Sequence, residues 1–264
     1  EVTRRQVLPV AEQIHVIWYC VNSQLARFEP AEEEVVRRLG ELGVPVILAL
    51  TQVSRKAGRN HPESTKLAQH IAHLALPIHR GTPVLLAALA QPDRGFEQHG
   101  LKELVDITFE AAPAGVHAAL IAAQKVDLPR KHAKAQAIVA AASASAGAAA
   151  LIPVPAGDAA AIVPIQLGMM AAVSAVYGMD LDQTTMAGVL GTTLATQLGR
   201  LAAGNLIKFV PGLGTGAGAA INAAVASSFT WAIGMAWAKI CGHLTAGTLD
   251  LADSEAIKLQ FTRE

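Results

Sequence analysis

Ile14-His-Val-Ile-Trp-Tyr-Cys-Val21 and Pro45-Val-Ile-Leu-Ala-Leu-Thr51 decide the fold class, and Pro83-Val-Leu-Leu-Ala-Ala-Leu89 is a third run of the same kind. Each has strand length and is apolar almost throughout. Near-continuous apolar runs, as opposed to alternating ones, predict strands buried on both faces, as in a parallel sheet. Helical patterns lie between them. Glu29-Pro30-Ala-Glu-Glu-Glu34 opens one with acid in its first turn, where the helix dipole favours it, and Val35, Val36, Leu39 and Leu42 form its apolar stripe. Residues 63–75 and 100–111 read as two more. Strand and helix alternate three times, which predicts a doubly wound α/β unit over residues 1–112.

From about Pro113 the strand signals stop, and residues 113–264 read as an alanine- and glycine-rich helical domain. Residues 113–126 and 129–150 are helical in pattern, the second passing through Lys131, Lys134 and Gln136 into an alanine tract. Leu151-Ile-Pro-Val-Pro-Ala-Gly-Asp158 interrupts the chain, because two prolines and a glycine cannot continue a helix. Asp158 is placed to cap a helix that carries Pro164 in its second turn, runs to about Tyr177 and ends at Gly178. Asp180 or Asp182 would cap the next helix. Pro211-Gly212 interrupts again before a long run to about Cys241, and residues 249–261 form a last amphipathic stretch.

Composition narrows the functional classes. Only 16% of the 264 residues are charged, against about 25% in an average soluble domain, and 52% are hydrophobic. Disorder, collagen-like repeats and a coiled coil are excluded on these figures. Formal net charge is zero, so no basic field gathers nucleic acid, and none is expected as a partner. Cys20 and Cys241 are far apart in sequence and offer neither a disulfide framework nor zinc spacing, which fits a reducing cytoplasm. The chain begins at Glu1 and lacks a basic-then-apolar leader, so a further portion upstream is expected.

In an open α/β sheet, ligands bind beyond the carboxyl ends of the strands. Those ends are Asn22–Arg27, Thr51–Ser54 and Ala87–Asp93. No G-x-x-x-x-G-K-[ST] phosphate loop occurs in the chain. Gly212-Leu-Gly-Thr-Gly-Ala-Gly218 has G-x-G spacing, but it follows helical sequence and reads as helix packing.

Ile14-His-Val-Ile-Trp-Tyr-Cys-Val-Asn22, Arg27-Phe28-Glu29 and Pro45-Val-Ile-Leu-Ala-Leu-Thr-Gln-Val53 resemble the second half of an Era/TrmE-like GTPase domain. Ala141 to Ala159, with Pro164-Ile-Gln166 and Tyr177-Gly178, resembles the helical domain of unknown function that follows such GTPase domains in many bacteria. The resemblance implies a truncated P-loop-GTPase-like domain that binds GTP or GDP with Mg2+, with phosphate loop, first switch and D-x-x-G motif upstream of Glu1. Residues 3–13 would then be the helix after the second switch. It places the guanine-reading N-K-x-D motif on Thr51, Gln52 and Ser54, and the fifth motif near Ala87 and Ala88. At the guanine-reading positions the chain departs from the family. Thr51 keeps a side-chain oxygen, and Gln52 can lay its methylenes on a base. Ser54 replaces a charged acceptor, a loss of roughly 1.5–3 kcal/mol for guanine.

Other residues have a bland reading that outweighs a sharp one. His70 and His73, three apart on one helix and flanked by His61 and His79, suggest a metal, yet they read as a solvated face. Trp18 and Tyr19 read as packing residues. Arg27 and Asp93 are loop charges at strand ends, and Arg55, Lys56 and Arg59 form a small basic group without interleaved aromatics. Phe209–Ala238 is free of charge and longer than the roughly 20 residues that span a bilayer, with Gly212-x-x-x-Gly216 and Gly214-x-x-x-Gly218 as close-packing faces and Trp231 and Trp237 as anchors. Its alanine, glycine and serine equally suit a tight bundle, as does the similar stretch 135–179. Two functions follow: a GTP-binding switch coupled to a helical domain that meets a membrane or partner helices, this segment alone being inactive in hydrolysis; or a non-catalytic membrane-associated or scaffolding protein with a degenerate nucleotide-binding fold. A sheet of three strands also leaves an apolar edge through which the chain could self-associate.

Overall fold

Three of the chain's apolar runs do pair as a sheet. In a computed structural model, which describes residues 12–94, 96–151, 158–180, 188 and 215–250, β1 (Ile17–Asn22), β2 (Val46–Thr51) and β5 (Val84–Leu85) form a parallel sheet in the order β1-β2-β5. Ile17 stands opposite Val46 and Ala49 opposite Val84. β2, in the centre, is buried at five of its six positions. Its residues alternate between two cores, as the pleat requires. Val46, Leu48 and Leu50 pack with Val36, Leu67 and Ile71, which belong to α1 (Pro30–Gly40) and α2 (Pro62–His73). Ile47 and Ala49 pack with Leu104 and Ile107 of α3 (Leu101–Ala111) on the other face. Helices on both faces are what an apolar central strand needs.

β1 departs from the expected burial. Trp18 is 50% exposed and Cys20 is exposed, while Ile17, Tyr19 and Val21 turn to the α1–α2 side. Edge position is the reason: α3 meets Trp18 through the indole nitrogen, which donates to the Thr108 hydroxyl at 2.9 Å. Tyr19 is half-buried, and burial aided by the Glu32 charge holds its phenol above the ordinary value. β5 is shorter than the run 83–89 suggests, but ladder geometry continues beyond it, with Leu86 N–H donating to Leu50 O at 2.9 Å and Val53 N–H to Leu86 O at 3.1 Å.

α1 begins with a capping box, Glu29 N–H donating to the Glu32 carboxylate at 2.8 Å, and Pro30 fills the first-turn position that lacks a partner anyway. Its apolar stripe is narrower than predicted, since Val36 is buried and Val35 is 44% exposed. A hairpin that periodicity does not reveal, β3 (Arg55–Lys56) and β4 (Arg59–Asn60), follows β2. Its two turn residues, Ala57 and Gly58, have φ of 49° and 75°, the mirror-image turn that matches strand twist.

The chain divides into two units, Glu1–Leu120 and Ile121–Glu264, with the boundary inside the short helix α4 (His117–Ala123). The second unit is helical among the described residues. α5 (Leu128–Ala149), α6 (Asp158–Val176) and α7 (Thr215–Thr245) enclose a core of Val139, Met170, Val173, Trp237 and Ile240. Small residues set how near the helices come: a Cβ on Gly234 of α7 would lie 2.6 Å from Val139 of α5 and 2.7 Å from Met169 of α6. α6 ends in a Schellman turn, in which Gly178 (φ 75°) donates to Ala175 O and Met179 to Ser174 O, each at 3.0 Å.

No helix among the described residues is long and apolar enough to cross a membrane. α7 is 31 residues long, but its alanines, glycines and serines dilute the hydropathy, and Asn222 interrupts it. Trp237 is no interfacial anchor. It is 2% exposed, and its indole donates to Met170 O at 3.1 Å and the Ser174 hydroxyl at 3.0 Å. The helix expected to start after Asp180 or Asp182, Pro211-Gly212, Gly212–Gly214 and most of 249–261 lie outside the described residues, as do residues 3–11.

Candidate functional site

The carboxyl ends of the three strands are tied together by side chains from their own loops. Thr51, the last residue of β2, donates from its hydroxyl to Val21 O at 3.1 Å. Gln52 follows in a left-handed conformation, φ 55°, which costs a side chain roughly 1–2 kcal/mol. Its carbonyl is held there by two donors from the β1 loop, the Ser23 hydroxyl at 3.1 Å and Gln24 Nε2 at 2.8 Å. Ser23 is itself buried and receives the Ser64 hydroxyl of α2 at 3.3 Å. Asn22 Oδ1 accepts from Gln24 N–H at 3.0 Å and fixes the turn that presents both donors. Ser54, half-buried, gives its carbonyl to His61 N–H at 2.9 Å.

Of the residues singled out in sequence, Thr51, Gln52 and Ser54 therefore share one loop on the carboxyl edge of β2. Ala88 lies exposed on the neighbouring loop after β5, and its carbonyl accepts from Gln98 Nε2 at 3.0 Å. Antiparallel bridges pair Ala87 with His99 and Gln91 with Phe96, folding that loop back on itself before α3. Asp93 sits exposed in a short turn within it, and Arg27 is ion-paired to Glu29 at 3.1 Å on the surface.

Between the two loops opens a cleft of about 1010 Å³. Ser54 lines it, the β3–β4 hairpin and the start of α2 form one wall, and Ala90, Pro92, Phe96, Glu97 and Gln98 supply the other. The cleft was not legible as such, because it depends on the hairpin. The Ala57-Gly58 dipeptide was its only local signal.

The histidines do not assemble. His70 and His73 are exposed, His73 Nδ1 lies 2.6 Å from Gln69 O, and among the described residues no three His, Cys, Asp or Glu side chains come together as a metal set. Asp158 begins α6, as the sequence suggests, and its side chain is outside the described residues.

The helical unit has a polar centre that sequence reading passed over. Lys131, fully buried in α5, donates from Nζ to Ala122 O at 2.8 Å and Val176 O at 3.0 Å. Both carbonyls belong to the last turns of their helices, α4 and α6, where the peptide dipoles favour a cation. Its Nζ also lies 5.9 Å from the centre of the Tyr177 ring. Burial, with Lys125 nearby, pulls the ammonium down to about 8. Burial pushes the Tyr177 phenol and the Cys241 thiol each up to about 12, which makes Cys241 an inert core residue. This centre joins helix ends; it faces no reacting group.

No family model, curated protein or solved structure matches the chain.

Proposed function

We propose that the α/β unit is the base-binding half of a P-loop-GTPase-like domain, and that the protein is a guanine-nucleotide switch whose helical unit engages partner helices or a membrane surface. The observation that carries this reading is the loop Thr51–Ser54. It lies at the carboxyl edge of the central parallel strand, and two side chains of the adjacent strand loop hold Gln52 in its left-handed conformation. Strained residues held in place by their neighbours cluster at functional loops, which supports this reading. The residues present fit one part of GTP or GDP. Gln52 is exposed and offers methylenes to a base, and Ser54 offers a neutral hydroxyl to its edge. The described residues supply neither a phosphate loop nor a Mg2+ ligand set, so the reading assigns phosphate and metal contacts to other residues.

Ser54 also favours a second reading, a scaffold that keeps a degenerate nucleotide fold, because a hydroxyl cannot replace the charged acceptor that guanine selects. Titration of fluorescent GDP, GTP and ATP separates the two. The switch reading expects saturable binding with modest guanine preference, and Ser54→Asp should tighten GDP about tenfold or more without tightening ATP, as one charge-assisted bond warrants. If neither form of the protein binds any of these nucleotides saturably, the scaffold reading replaces it.

A further inference from the structure

We propose that the cleft beside Ser54 is a separate anion site that takes a small phosphate-bearing molecule, with the phosphate held by Lys56 and Arg59. Lys56 and Arg59 are directly paired across the β3–β4 hairpin, so two like charges occupy facing positions on one side of a two-stranded ribbon. Such a pair weakens the hairpin that carries it. Neither cation has an ion pair among the described residues, although carboxylates compensate Arg37, Lys66 and Lys102 elsewhere in this unit. Arg55, the third cation of the hairpin, is held by a hydrogen bond from its Nε to Gly58 O at 2.9 Å.

All three cations line the cleft, and Glu97 is the one carboxylate among its lining residues. The wall charge is therefore net positive by two, and a dianion balances it. Phe96, opposite the hairpin, is 6% exposed and gives the cleft an apolar base. The ligand chemistry that meets both features is an organic phosphate whose carbon skeleton rests on Phe96, such as a sugar phosphate. The hairpin is the two-sided arm that makes the cleft, and it would be costly if it only faced water.

The proposal does not rest on the nucleotide reading, and its test uses probes that lack a base. Inorganic phosphate and ribose 5-phosphate are titrated calorimetrically into the full chain, into Lys56→Gln/Arg59→Gln, and into Arg38→Gln as a control on an exposed α1 cation. The wild type and Arg38→Gln should bind both probes, ribose 5-phosphate the tighter, with affinity falling as salt rises. Lys56→Gln/Arg59→Gln should bind at least tenfold more weakly. Circular dichroism of each variant checks that it remains folded. Removing facing like charges should leave the hairpin at least as stable, so a loss of binding reads on the site. Absence of phosphate binding by the wild type, or equal binding by Lys56→Gln/Arg59→Gln, overturns the proposal.

Discussion

Gly234→Ala tests whether helix approach in the second unit is set by small residues. The added Cβ would lie 2.6 Å from both γ-methyls of Val139 and 2.7 Å from Met169 Sδ, about 1 Å inside the usual carbon contact distance of about 3.5–4.0 Å. Met169 can swing away, because its thioether chain is flexible. Val139 cannot: it is fully buried, and a β-branched side chain in a helix has essentially one χ1 rotamer. Overpacking of this kind costs about 1–3 kcal/mol, more where the neighbour is rigid. Against it stands a helix-propensity gain of about 1 kcal/mol for glycine to alanine. With Val139 unable to yield, the steric cost falls in the upper part of its range and wins, and Gly234→Ala should lose about 1–2 kcal/mol.

Urea unfolding followed by tryptophan fluorescence reads this out, with Trp18→Phe as background so that only Trp231 and Trp237 of the helical unit report. Val139→Ala alone should destabilise by about 2 kcal/mol through lost methyl burial and a cavity. Combined with Gly234→Ala, it removes the clash, and the double variant should be more stable than the sum of the singles by at least about 1 kcal/mol. Strict additivity, or a Gly234→Ala protein as stable as the wild type, would refute the close-approach argument.

Lys131→Met keeps the stem but leaves the carbonyls of Ala122 and Val176 without their donor, and should cost about 2–4 kcal/mol in the same assay. Its pH signature is specific. The folded ammonium titrates at about 8 against an ordinary 10.5, so from about pH 8 upward the unfolded chain holds more protons, and stability rises with pH. Cys241 and Tyr177, pushed up to about 12 from 9.0 and 10.0, act in the opposite sense above about pH 9. Wild-type stability should therefore peak near pH 9, and Lys131→Met should lose the rise below it. Gly100→Ala should unfold the α/β unit by several kcal/mol, measured by loss of the Trp18 signal. At φ 76°, its Cβ would strike the Leu85 carbonyl and lie 2.6 Å from Leu86 Cβ, all within rigid sheet backbone. The Ser54→Asp gain in GDP affinity and the Lys56→Gln/Arg59→Gln loss of phosphate affinity complete the set.

The apolar runs 14–21, 45–51 and 83–89 were enough to specify three strands, and the 3.6-residue patterns between and after them three helices, because backbone pairing and burial leave few alternatives for such segments. The small-residue character of residues 135–179 likewise pointed to close helices, and Gly234 and Gly178 show that contact atom by atom. Which strand lies at an edge was not local information. Trp18 and Tyr19 are adjacent in sequence, yet only the position of β1 beside β2 turns one outward and the other toward α1 and α2.

Tertiary structure alone brought two polar clusters together. Arg55, Lys56 and Arg59 looked like a minor surface group until the Ala57-Gly58 turn paired two of them across a hairpin that walls a cleft. Lys131 looked like one more helical lysine until α4 and α6 ended at its ammonium. Periodicity records which face of an element is apolar; it carries no record of which distant carbonyls, or which like charges, the packed chain will bring to one point.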